Sequence, residues 1–132
     1  MSFKVEIITP KGMYASRDVE SLTLKLTSGY RTILSGHAPL IGSLYYAPMH
    51  FVENGKTYHF ALHGGAINIT KEKVVLIVNA IEAVEDIDIE RARKAKERAE
   101  KRLKEKDINL DVKRAELALL RAIARIDTYE KK

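Results

Sequence analysis

The chain has 132 residues, 45% apolar and 31% charged, enough for one domain or two very small ones and too apolar for a disordered segment. With no cysteine it holds no disulfide framework, thiolate zinc site, iron–sulfur cluster or cysteine nucleophile. Its longest apolar run, Val74–Val78, is far below the ~20 residues a bilayer-crossing helix needs, and the N-terminus lacks a signal-peptide core. The expectation is an intracellular, soluble chain that meets a membrane only through a partner.

The net charge of +5 has an address. Residues 1–86 carry 8 basic and 8 acidic side chains, whereas residues 87–132 carry 15 and 10. All seven glycines lie at or before Gly65, all three prolines at or before Pro48, and eight of nine aromatics before Asp86. Glycine, proline and aromatics punctuate and fill β structure, and their absence suits helix. The division predicts a β unit over residues 1–85 and an α unit over 86–132.

In chain order, Phe3, Val5 and Ile7 alternate with polar residues, and Pro10-Lys11-Gly12 supplies a turn. A second alternating strand is expected from Val19 to Leu26, with Leu22, Leu24 and Leu26 on one face. Asn54-Gly55 is a strong hairpin signal because both residues tolerate positive φ. A two-residue loop there opposes Glu53 to Lys56, Phe51 to Tyr58 and Met49 to Phe60, an aromatic pair on the core face with a charge pair beside the turn. Gly64-Gly65 reads as a break before a strand Ala66–Ile69, and Lys71-Glu72-Lys73 as a turn before Val74–Val78. Seven or more short strands indicate a flattened antiparallel sandwich or barrel.

The same register sets His50 opposite His59, with His63 further along that face. A zinc ion wants at least three ligands and no carboxylate lies on that face of either strand, so these read as surface or interface histidines rather than a metal site. His37 falls in the loop Ser35-Gly36-His37-Ala38-Pro39. No nucleophile elbow or glycine-rich phosphate loop is present, which argues against an active site.

From Ile89 to Lys106 nothing breaks a helix. Asp88 is the candidate N-cap, and Glu90 in the first turn complements the helix dipole. Ala92, Ala95, Ala99 and Leu103 form a narrow seam, while Glu90–Lys94, Glu97–Lys101 and Glu100–Lys104 are candidate ion pairs. Asp107-Ile108-Asn109 ends the pattern, and Asn109 or Asp111 caps a second helix running to about Tyr129, with Leu117, Leu120, Ala124 and Ile126 near its inner face. The two helices make an antiparallel hairpin. An alanine seam buries little area, so the hairpin depends on docking elsewhere and is a candidate moving part.

Arg91 and Arg98 share a face of the first helix, and Arg114, Arg121 and Arg125 a face of the second. Arginine suits phosphate because its planar fork donates two hydrogen bonds. From spacing alone, the solvated face of a charged hairpin accounts for these arginines better than an anion site does.

Ile87-Asp88-Ile89-Glu90-Arg91-Ala92 resembles the Ile/Leu-Asp-x-x-Arg-Ala signature of the epsilon subunit family of bacterial F-type ATP synthase, in its ATP-binding form. The resemblance extends over Val5-Glu6-Ile7-Ile8-Thr9-Pro10-Lys11-Gly12, over Ile33 to Leu40, and over Lys113-Arg114-Ala115-Glu116-Leu117-Ala118-Leu119. It implies a ten-stranded sandwich followed by a two-helix hairpin in a non-catalytic, central-stalk rotor subunit at the cytoplasmic face of the cell membrane. The implied partners are the gamma subunit and c-ring for the sandwich, and the catalytic alpha/beta ring for an extended hairpin that inhibits ATP hydrolysis. The resemblance further implies ATP as a regulatory ligand that favours the folded hairpin, with no metal or required cofactor, and carries ligand positions onto Glu82, Asp88, Arg91, Arg98, Arg121 and Arg125. Ser35 stands where the family commonly has proline and His63 where it commonly has serine, departures expected to bear on rotor contacts more than on ATP.

Three other readings compete. An autonomous enzyme would hydrolyse ATP as the purified chain, and no such hydrolysis is expected. A basic nucleic-acid-binding hairpin is disfavoured because acidic residues interleave with the basic ones and a single aromatic is available for stacking. A rotor adaptor without nucleotide fits the sequence as well as the sensor does, apart from the carried-over ligand positions.

Overall fold

The computed structural model describes residues 1–105 and 109–132. The chain forms β1 (Phe3–Thr9), β2 (Gly12–Val19), β3 (Ser21–Leu26), β4 (Gly29–Leu34), β5 (Leu40–Glu53), β6 (Lys56–Ile69), β7 (Lys73–Val78) and β8 (Ile81–Ala83). A 3-10 turn, Val84–Asp86, leads to α1 (Ile89–Glu105) and α2 (Val112–Lys131). The strands run in the order β2-β1-β7-β6-β5-β3-β4, with β8 beside β6. One pair, β1 with β7, is parallel. An all-antiparallel expectation misses it; the long excursion through β2 to β6 supplies the crossover that parallel pairing requires.

The β5–β6 hairpin turns as its sequence dictates. Asn54 (φ 53°) and Gly55 (φ 78°) both take positive φ, and Glu53 pairs Lys56, Phe51 pairs Tyr58 and Met49 pairs Phe60. The Phe51 ring stacks on Tyr58 and Phe60 at centroid distances of 5.3 and 5.2 Å. The expected break at Gly64-Gly65 does not occur: β6 runs through it, and Leu40 still pairs Ile69 in the same register.

What those glycines do is turn the strand over. Phe60 and Leu62 are buried before them, and Ile67 and Ile69 after them, positions that a straight strand would place on opposite faces. In β5 the buried set changes phase in the same way, from Leu44 to Met49 and Phe51. The long hairpin therefore passes from one layer of the sandwich to the other, and both halves feed the core that holds Val5, Ile7, Leu22, Leu24, Ile33 and Leu76. Gly65 (φ 141°) allows the crossing because a Cβ there would lie 2.2 Å from the Ile77 carbonyl oxygen. The strand expected over Val19–Leu26 is also interrupted, at Glu20. Its N–H donates to Val52 O (2.7 Å) and its Oε1 accepts from Gly55 N–H (3.1 Å), tying the bend to the hairpin tip.

Asp88 caps α1 by accepting from Arg91 N–H at 3.1 Å, and Asp111 caps α2 by accepting from Arg114 N–H at 3.0 Å. Part of the expected break Asp107-Ile108-Asn109, and the expected helix end at Lys106, lie outside the described residues. The alanine seam of α1 is present, with Ala92 and Ala99 buried and Ala95 and Leu103 half-buried. On α2 the buried residues are Ala115, Ala122, Ala124 and Thr128, while Leu117, Leu120 and Ile126 are only half-buried. Small residues on both helices let the axes approach, and the larger side chains ride on the flanks. Ion pairs on α1 join Glu90 to Arg93 (2.9 Å) and Lys101 to Glu105 (3.9 Å) in place of the three expected pairs.

The hairpin lies folded against the sandwich, with α2 packed across β5 and β6 and α1 on α2. Thr128, fully buried, sets its Oγ 3.3 Å from Phe60 O and 2.7 Å from Ala124 O. At the end of α2 the Lys131 ammonium lies 5.1 Å from the Tyr30 ring centre. No helix among the described residues is long and apolar enough to cross a membrane.

Candidate functional site

Where β8, the 3-10 turn and both helices meet, Glu82, Asp86, Asp88, Arg91, Ala92, Ala95 and Arg125 line a cleft of about 330 Å3. Several elements contribute: Glu82 comes from β8, Asp86 from the 3-10 turn, Asp88 caps α1, Arg91 with Ala92 and Ala95 lies in α1, and Arg125 comes from α2. Of the residues singled out in the sequence, Glu82, Asp88, Arg91 and Arg125 are thus brought together. Arg121 and Arg114 line a separate cleft of about 800 Å3 with Arg102 and Asp111, toward the far end of the hairpin. Arg98 is exposed on α1 and lines neither cleft. The five arginines of the two faces do not converge on one place.

The centre of the cleft is already wired. Glu82 Oε1 accepts from Arg125 Nε–H at 2.6 Å and from His63 Nε2–H at 2.8 Å. These bonds hold the Glu82 carboxyl down from its ordinary 4.5 to about 2, the His63 hydrogen bond first and the Arg125 hydrogen bond and charge with it, against a burial that pushes the other way.

His63 corrects one expectation. It is not a surface histidine, since its side chain is 2% exposed, and the carboxylate missing from its own strand face is supplied by β8. The residue that departs at position 63 also touches the candidate ligand carboxylate directly. The structure explains the contact: Ala61 pairs Glu82 across β6 and β8, which sets Glu82 on the same face as His63, two residues along. His50 and His59 do face each other, with ring centres 5.6 Å apart. Burial, then His59 and Lys131, hold the His50 imidazole below its ordinary range. No cluster among the described residues has the makings of a metal site.

Chemically the cleft offers both kinds of partner. The Arg91 and Arg125 guanidiniums suit phosphate oxygens, and the Asp86 and Glu82 carboxylates suit hydroxyl or amino donors. Because Arg125 spends its Nε on Glu82, its two terminal nitrogens are what remains for a ligand.

Comparison with known proteins places this architecture. Residues 2–84 match the β-sandwich domain of the ATP synthase delta/epsilon chain, and residues 85–130 its long α-helix domain. The ATP synthase epsilon chain of Bacillus cytotoxicus is 40% identical over 131 residues, covering 99% of this chain and 98% of that protein. That of Natranaerobius thermophilus is 41% identical over 127 residues, covering 95% and 90%. Among solved structures, a chain of the Euglena gracilis mitochondrial ATP synthase OSCP/F1/c-ring assembly shares the fold with a TM-score of 0.84 at 20% identity, over 93% of this chain and 78% of that one. With both its sandwich and its hairpin matched, the chain belongs to the delta/epsilon chain family of ATP synthase.

Proposed function

We propose that this chain is a non-catalytic subunit of the central stalk of a bacterial F-type ATP synthase, peripheral to the cytoplasmic face of the cell membrane. The sandwich docks on the gamma subunit and the c-ring. The hairpin either lies folded, as here, or extends toward the alpha/beta catalytic ring and inhibits ATP hydrolysis. ATP held in the folded form acts as a regulatory ligand that favours it. The rotor placement is supported by the family and by fold neighbours taken from an F1/c-ring assembly and from a central stalk/c-ring structure of Tetrahymena thermophila mitochondrial ATP synthase.

One observation carries the switch. The cleft takes residues from β8, α1 and α2 together, so it exists only while the hairpin is docked. A ligand biases two conformations by its difference in affinity for them, and a cleft absent from the extended form supplies that difference. Its size follows RT ln(1 + [L]/Kd). Glu82, Asp88, Arg91 and Arg125 are the proposed ATP contacts within the cleft. Arg98 and Arg121, carried over from the family, join the proposal as residues that reach a triphosphate only after side-chain rearrangement.

Isothermal titration with MgATP tests this reading. The unmodified chain should give a saturable heat, and an Arg91→Ala, Arg125→Ala variant should lose it. No heat from the unmodified chain retires the nucleotide sensor and leaves the rotor role standing. The adaptor reading without nucleotide has its own support in the prior engagement of Arg125 by Glu82; under it, both proteins titrate silently.

A further inference from the structure

We propose that His63 is a positioning residue for this cleft: acting through Glu82, it fixes the Arg125 guanidinium so that its two terminal nitrogens face the ligand. The inference rests on the nucleotide reading for its purpose, though not for its geometry. Three observations support it.

The imidazole is itself fixed. It is 2% exposed, its ring centre lies 6.2 Å from that of Tyr46, and its backbone N–H donates to Ala80 O at 3.0 Å in the link between β7 and β8. The next residue is tied into the same link, since Asn79 N–H donates to Gly64 O at 3.1 Å. An anchored ring makes a better guide than the mobile end of a long side chain.

The bond has one polarity. Glu82 accepts as a carboxylate, so His63 donates and carries a proton on Nε2. Its Nδ1 is buried without a partner among the described residues, so the ring is oriented by the Glu82 bond and by packing.

The same Glu82 oxygen takes both donors, and the Arg125 donor is Nε. A guanidinium held at Nε is restricted in rotation about its long stem; one terminal nitrogen shares the Nε–H side, and the end of the fork still presents one N–H from each terminal nitrogen away from the carboxylate. That is the arrangement for two parallel bonds to a phosphate. Serine at position 63 would fall short of Glu82 and leave this carboxylate with Arg125 alone, so the departure at 63 is the feature that builds the relay.

The test uses the full chain, beginning without ligand. In 15N spectra of the wild type, the His63 ring should show a protonated Nε2, and the Arg125 Nε–H should exchange slowly with solvent. His63→Gln, which retains an N–H donor at similar reach, should preserve the Arg125 behaviour, whereas His63→Leu should speed that exchange about tenfold. A bare Nε2 in the wild type, or unchanged Arg125 exchange in His63→Leu, overturns the proposal; the ring measurement needs no variant and stands if His63→Leu fails to fold. In the second arm, MgATP should bind wild type and His63→Gln within about twofold and His63→Leu about tenfold more weakly. Equal affinity for all three also overturns it, while a wild type that binds no ATP overturns the nucleotide reading and leaves the ligand-free arm to judge the relay.

Discussion

Glu82→Gln removes the charge from the centre of the clasp while keeping its shape. The folded chain holds this carboxyl near 2 against an ordinary 4.5, which at ~1.36 kcal/mol per pH unit sets a ceiling of ~3 kcal/mol. The side chain is 29% exposed, and solvent screening reduces the working figure to about 1–2 kcal/mol. A carboxyl whose value is depressed on folding stabilises fully above its unfolded value and loses that contribution as pH falls through the folded one. The stability gap between wild type and Glu82→Gln should therefore be about 1–2 kcal/mol at pH 7, begin to close near pH 4.5 and vanish near pH 2. Urea unfolding followed by the helical circular dichroism signal measures the gap at each pH. A gap under about 0.3 kcal/mol at pH 7, or one that stays constant down to pH 2.5, refutes the reasoning.

Gly65→Ala should cost about 3 kcal/mol or more, because the new Cβ meets backbone at 2.2 Å, whereas Gly12→Ala, with open space around it, should cost only about 1 kcal/mol of φ strain; thermal melts of the two compare them directly. Ala99→Leu overpacks the seam between α1 and α2 and should cost about 1–3 kcal/mol. Brief trypsin treatment, read for release of the hairpin with the sandwich left whole, should show faster cleavage than in the wild type. Thr128→Val keeps the volume but removes the hydroxyl facing Phe60 O, and a loss of about 1 kcal/mol in the same urea assay is expected.

Local structure is legible in the sequence where one short-range rule governs. Asn54-Gly55 determines its loop, the loop determines a register of thirteen pairs, and Asp88 and Asp111 cap the helices they precede. Contacts set by tertiary geometry were harder. Gly64-Gly65 looks like a break because glycine ends many strands, yet here it serves a close crossing against Ile77 and Val78 that only the third dimension reveals. Glu82 and His63 meet through β8, a strand of three residues, too short to show alternation. Arg91 and Arg98 share a helical face, but seven residues advance ~10 Å along the axis, which takes Arg98 away from a cleft centred on the first turn. The four-residue step from Arg121 to Arg125 separates them by ~6 Å and divides them between two clefts. The leucines of α2 are its largest apolar side chains, yet the buried positions belong to alanine and threonine because two close-packed neighbours leave no room for more.

The central claim is that a nucleotide holds the hairpin down. Since the chain has no cysteine, Arg31→Cys and Glu130→Cys introduce two unique, exposed sites for spin labels, beside the place where Lys131 meets Tyr30. Pulsed dipolar distance measurement on this labelled chain, with and without saturating MgATP, should show a short separation whose population grows with ATP at the expense of longer ones. The same distance distribution in both conditions, from a chain shown by titration to have bound ATP, would contradict it.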